Sequence, residues 1–160
     1  MLADQNAGPA SARTERPSPQ IFQKACDADA LSVRDMLRAA IARFAQHISE
    51  DEAGTLELVL AEVMNNIVEH SYCGRDRGSI SLSIVRDRRG LSCSVSDDGI
   101  TLPADHLLHD IGRLPRPEPH DLPEGGFGWF LIRDLAEDLG YHREGDQNLL
   151  AFRLPIGAMA

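Results

Sequence analysis

The chain has 160 residues, 42% of them hydrophobic and 26% charged, with a net charge of −9, which suits one globular domain with its own core. That acidity argues against unspecific binding to nucleic acid or to an anionic membrane, since both need a basic surface. No apolar run approaches the roughly 20 residues that span a bilayer, and no basic start leads into an apolar segment, so a cytoplasmic, unexported protein is expected. Residues 1 to about 19 are rich in Ala, Ser, Pro, Arg and Gln and cannot offset their own ordering entropy, so a flexible tail is expected there. A single domain should then occupy residues 20–156. Ile21 to Cys26 reads as a first strand. Ala30 to His47 reads as an amphipathic helix with Leu31, Met36, Leu37, Ala40, Ile41 and Phe44 inward. A second helix is predicted from about Asp51 to His70. Cys73-Gly-Arg-Asp-Arg-Gly78 forms a turn, followed by strands Ser79 to Arg86 and Leu91 to Ser96 joined by Asp87-Arg-Arg-Gly90.

Beyond Asp97-Asp98-Gly99 come five prolines, Pro103, Pro115, Pro117, Pro119 and Pro123, which forbid a continuous helix. A loop of this length is usually a lid or disordered, and a lid is placed at about 99–124. Gly125-Gly126-Phe127-Gly128 opens a third helix, Trp129 to Asp138, ending near Gly140. Tyr141 to Arg143 and Leu149 to Leu154 are the last strands, around a turn from Glu144 to Asn148. The final four strands come mostly as hairpins, so the fold class is α+β. The expectation is a two-layer sandwich in which a mixed, mainly antiparallel sheet is covered by helices on one face. Cys26, Cys73 and Cys93 are an odd number without CxxC spacing; they read as reduced thiols and argue against zinc.

The second helix carries the chemistry. At about 100° per residue, Leu56, Leu60, Val63 and Ile67 share one face, and Glu62, Asn66 and His70 run as a line along its border. A half-buried carboxylate one turn from an amide suits a hydrated divalent cation beside a phosphate. Asn offers Mg²⁺ a neutral oxygen, and Glu can take a proton from an attacking hydroxyl or water. The same line also fits ordinary solvated polar groups on an amphipathic helix. Asp97 ends a strand, where its carboxylate can accept from an exocyclic amine such as that of adenine, and Gly99 lets backbone approach a flat ring. Asp-Gly also ends many strands simply as a turn. Gly125, Gly126 and Gly128 bare backbone N–H groups at the positive end of the third helix, a ready anion site. A lid hinge would use the same glycines. No Gly-Lys-Ser/Thr follows, so this is not a P-loop.

Taken in order, ELVLAEVMNNIVEHSY, VSDDG, a proline-rich lid, GGFGWFLIRDL and EDLGYHREGDQNLLAFRL resemble the blocks of the Bergerat-fold (GHKL) ATPase superfamily, which includes gyrase and the histidine kinases. Within it the sequence is most similar to the small anti-sigma factor serine-protein kinases of bacterial partner-switching systems. The resemblance covers about Phe22 to Leu154 and implies the histidine-kinase-like ATPase fold, with ATP and Mg²⁺ as cofactors. By that resemblance Glu62 is the catalytic base and Asn66 the Mg²⁺ ligand. Asp97 binds adenine with Gly99 beside the ring, and Gly125, Gly126, Phe127 and Gly128 face the phosphates. His70 and Asn65 take supporting places near phosphate or base. Ile100 and Thr101 stand where larger members often keep another glycine, which narrows the subfamily.

The resemblance implies a kinase that phosphorylates a Ser or Thr of an anti-anti-sigma factor with a STAS-type domain. Phosphorylation releases the partner and so controls release or sequestration of a sigma factor or other output regulator by the kinase, which acts as a homodimer. The alternative is a non-catalytic nucleotide-binding module that regulates by sequestration alone. A water-attacking ATPase, or the catalytic domain of a histidine kinase, is the third reading. Arg133 is assigned to a solvated helix face, and His106, His109 and His120 in the lid to exposed positions.

Overall fold

A computed structural model describes residues 19–72, 78–100 and 127–157. Five strands, β1 (Gln20–Asp27), β2 (Ser79–Asp87), β3 (Gly90–Asp97), β4 (Glu137–Glu144) and β5 (Gln147–Leu154), form one sheet in the order β1-β2-β3-β5-β4. Every neighbouring pair among them is antiparallel, the limiting case of the mainly antiparallel sheet expected. Helices α1 (Ala30–Phe44), α2 (Glu50–Asn66) and α3 (Phe127–Leu135) pack together. The expected tail before residue 19 and lid beyond Ile100 lie outside the described residues, as do Cys73, Gly125 and Gly126.

The strands alternate because one face is covered. Ile80, Leu82 and Ile84 of β2, Leu91, Cys93 and Val95 of β3, and Leu150, Phe152 and Leu154 of β5 are all buried. They meet Met36, Ala40 and Phe44 of α1 and Leu56, Leu60 and Val63 of α2 in one core. Each buried Val, Leu, Ile, Phe or Met among them contributes roughly 1.5–3 kcal/mol through removal from water. Burial pushes the Cys93 thiol up to about 12, so it acts as a small apolar residue and not as a nucleophile. On the opposite face, register aligns Gln23, Ser83, Ser94 and Ala151 in one cross-strand row, and Ala25, Ser81, Ser96 and Leu149 in the next. Neither row carries a charge.

Local signals set the helix starts. Asp29 caps α1, its Oδ1 accepting from the Ser32 N–H at 2.8 Å. Ser49 and Glu52 form a reciprocal capping box on α2, at 3.2 Å and 2.8 Å, satisfying two donors that helix ends otherwise leave open. The backbone N–H of Ser49 holds the Glu52 carboxyl below its ordinary range. Glu52 also accepts from the Gly157 N–H at 2.7 Å, pinning the chain beyond β5 to the start of α2.

Two expectations are corrected. Leu31 is 73% exposed, and Val33 takes the inward place. Leu31 lies roughly 140° around the helix from Met36, so it cannot share that face. The third helix stops at Leu135 and β4 begins at Glu137, where the sequence had suggested helix to Asp138. The pattern of Leu135 and Leu139 mimics a helical spacing because β4 carries a register irregularity between Glu137 and Gly140, with Asp138 at φ 52°. Such a bulge inserts a residue and breaks the two-residue period.

Candidate functional site

Along α2 the apolar face forms as drawn, with Leu56, Leu60, Val63 and Ile67 buried and Val59 and Met64 widening it. Glu62 is half-buried at the border of that face, and Asn66 is buried. The Nδ2 of Asn66 has no hydrogen-bond partner. A buried amide left in that condition costs roughly 1–3 kcal/mol, a cost that a bound ligand would remove.

Immediately after Asn66 the helix widens into a π-helical turn, Ile67–Ser71. Turns of this kind recur at functional sites. The wider turn ends the angular spacing that defined the polar line, and His70 is exposed on it. Asn65 is exposed as well. Tyr72 closes the turn and is buried, its hydroxyl donating to Asp98 Oδ1 and accepting from the Asp98 N–H at 3.1 Å. The Ser79 N–H donates to the same carboxylate oxygen at 3.0 Å. A Cβ at Gly78 would overlap the Tyr72 ring, so glycine is needed where β2 enters. Burial, with the bond given to Asp98, pushes the Tyr72 hydroxyl well above its ordinary range. It therefore stays a neutral donor, and it ties the end of the Glu62–Asn66 helix to the residue beside Asp97.

Asp97 is 2% exposed at the end of β3. Its Oδ1 accepts from the Gly99 N–H at 2.9 Å and from Asn148 Nδ2 at 2.9 Å. Burial pushes its carboxyl up, against the opposing effect of those two donors. Oδ1 is thus committed to the protein, and the carboxylate presents its second oxygen as an acceptor. Asn148, buried on β5, was read from sequence only as the end of a turn; the Asp-Gln-Asn run there is typical turn chemistry. The signal that could have found it is its phase with Leu150, Phe152 and Leu154, which puts a polar residue on the inward face of a strand.

The remaining positions are more loosely drawn. Helix α3 begins at Phe127, so Phe127 and Gly128 occupy its first turn, where backbone N–H groups lack helical partners. Arg133 is half-buried with Nη2 lacking a partner, and so is not on the solvated face expected. The lid histidines lie outside the described residues. Among the described residues no cluster of three His, Cys, Asp or Glu side chains could hold a metal ion, and no helix is long and apolar enough to cross a membrane.

Comparison with known proteins agrees with this arrangement. Proteins named serine-protein kinase RsbW from Bacillus thuringiensis (strain Al Hakam), Bacillus cereus (strain 03BB102) and Bacillus anthracis (strain A0248) are each 31% identical over 98 residues. The matches cover 59% of this chain and 60% of each relative's length. The profile of the histidine kinase-like ATPase domain matches residues 25–154, spanning every described element but the start of β1. The antiparallel sheet covered by helices is therefore the frame of a known architecture: the chain belongs to the histidine kinase-like ATPase domain family.

Proposed function

We propose that this chain is an anti-sigma factor kinase that uses Mg-ATP to phosphorylate a serine or threonine on a STAS-type anti-anti-sigma factor. The observation that carries this reading is Asn66, whose buried amide lacks a partner one helical turn beyond the half-buried Glu62. The two ends of an amide exchange by a half-turn, so that buried position can present oxygen as readily as nitrogen. It suits a hard cation that keeps several waters and takes few protein ligands.

In this reading Asn66 holds Mg²⁺, which when bound neutralises charge on the transferring phosphoryl group. Glu62 accepts the proton of the partner's hydroxyl. Asp97 takes the amine of adenine on its free oxygen, with Gly99 alongside the ring. Phe127 and Gly128 offer N–H groups of the first turn of α3 to phosphate, together with Gly125 and Gly126, while His70 borders the site. Positioning and electrostatics supply most of the acceleration in phosphoryl transfer. The phosphorylated partner gains about two negative charges, and a chain of net charge −9 then repels it, freeing the kinase for a sigma factor or other regulator. Incubating the chain with Mg-ATP and a candidate STAS-type partner should yield phosphoserine or phosphothreonine by mass spectrometry. Failure to modify the partner that it binds overturns the kinase reading.

We assign the homodimer of this reading to the open sheet face. Two copies of an acidic chain repel, and the rows through Ser83–Ser94 and Ser81–Ser96 offer a surface without charged side chains on which they can meet. Sedimentation should give a dimer for the wild type and a monomer for Ser83→Arg with Ser94→Arg. A dimer that persists in the double variant moves the interface elsewhere.

A further inference from the structure

Asn148 is the most completely bonded side chain of the site, and its orientation admits one reading. Nδ2 donates to Asp97 Oδ1 and to the Ile100 carbonyl, both at 2.9 Å, with the Gly99 carbonyl at 3.3 Å. On the other side, Oδ1 accepts from the Tyr141 hydroxyl at 2.8 Å and from Arg143 Nη1 at 2.7 Å. Turning the amide over would set its oxygen against a carboxylate and two carbonyls and its nitrogen against the donor-only Arg143 guanidinium, leaving the Tyr141 hydroxyl, which can also accept, as its one remaining partner. Arg143 Nη1 also donates to the Gly99 carbonyl at 3.0 Å. A brace from the β4–β5 hairpin thus grips Asp97, Gly99 and Ile100 together.

We propose that Asn148, held by Tyr141 and Arg143, is a positioning residue that sets base specificity by fixing Asp97 as a pure acceptor. An ionised carboxylate can only accept. It favours a ring edge that donates from an amine, as adenine does at N6, and rejects one that presents a carbonyl, as guanine does at O6. A protonated Asp97 would lose that discrimination, because its O–H could serve the guanine carbonyl. The Asn148 donor works against protonation. So does the positive charge of Arg143, while burial and the neighbouring Asp98 favour it; the Tyr72 hydroxyl, bonded to Asp98, stays neutral and adds no charge of its own.

This inference rests on the nucleotide reading above, and calorimetric titration of the full chain with Mg-ATP and Mg-GTP separates the two. Wild type should prefer ATP by roughly tenfold or more. Asn148→Leu should lower ATP affinity roughly tenfold and narrow the preference, since a buried acceptor loses its donor. On acidification its remaining ATP affinity should begin to fall at a higher pH than that of wild type, because loss of the donor raises the Asp97 carboxyl further. Asn148→Thr restores a hydroxyl donor and should recover part of both properties, which a merely structural role would not produce. Tyr141→Phe, which removes a single hydroxyl at the edge strand, should shift the preference the same way by a smaller factor, and it serves if Asn148→Leu does not fold. An unchanged ATP-to-GTP ratio and pH profile in the folded variants overturns the assignment. A wild-type chain that binds neither nucleotide overturns the proposed function, and this inference with it.

Discussion

Glu62→Gln is expected to slow phosphoryl transfer to the partner by about 10²–10⁴-fold, the usual contribution of a positioned general base, while Mg-ATP binds within a few-fold of wild type. The substitution keeps the size and half-burial of the side chain and its place one turn before Asn66. It removes only the capacity to take a proton. A fall in kcat with little change in the nucleotide dissociation constant is the signature of an interaction made at the transition state. Phosphotransfer kinetics alongside calorimetry decide the matter. Equal phosphorylation by wild type and variant would exclude Glu62 as the base, and no phosphorylation by either, with the partner still captured, would leave regulation by sequestration alone.

Asp97→Asn should weaken Mg-ATP binding by about a hundredfold or more, as expected when a site built to bond a ring edge loses its matching group. The amide oxygen can keep both bonds now made by Oδ1, to Gly99 and Asn148, so the fold has no reason to fail. The amide nitrogen then replaces the free acceptor with a donor, facing the adenine amine donor to donor. Stability moves the other way. Burial raises the folded-state pKa of Asp97 above its ordinary value of 3.8. Its stabilising contribution is therefore full below the ordinary carboxylate value and lost as pH rises through the raised one. At neutral pH the buried charge is a net burden that asparagine lacks. Urea unfolding of the nucleotide-free protein should find the variant at least as stable as wild type near neutrality. Acidification from above the raised pKa toward 3.8 should erode that advantage. A variant clearly less stable at neutral pH would contradict this account of Asp97.

Much of this architecture was legible because it rests on strong periodic patterns. The Ile80–Leu82–Ile84 alternation and the Leu56–Leu60–Val63 face survive folding unchanged, since each buries the side chains that define it. Glu62, Asn66 and Asp97 were singled out through spacing and resemblance together. What escaped were departures from period. The π turn after Asn66 follows a sequence that continues a good α-helix, and nothing in Ile67–Ser71 announces the wider winding that leaves His70 exposed. The bulge at Asp138 disguised the start of β4 as helix. Asn148 escaped for a different reason: its partners Asp97, Gly99 and Ile100 are remote in sequence, and a polar residue beside a turn looks ordinary until the register of β5 is known.

The bond between Asn148 and Asp97 joins positions 51 residues apart, and β5 reaches β3 by inserting between β3 and β4. Closing so large a loop is entropically slow, and distant strand pairings tend to form late. A chain that has assembled β1, β2, β3, α1 and α2 would already own Glu62 and Asn66, yet would have no pocket for a base. Nucleotide can then recognise only the finished fold. If it is present at a hundred times its dissociation constant, it adds about 2.7 kcal/mol to the folded state. The survival time of this protein in a cell would in that case track the energy charge around it, with depleted nucleotide raising the unfolded fraction that proteases can reach.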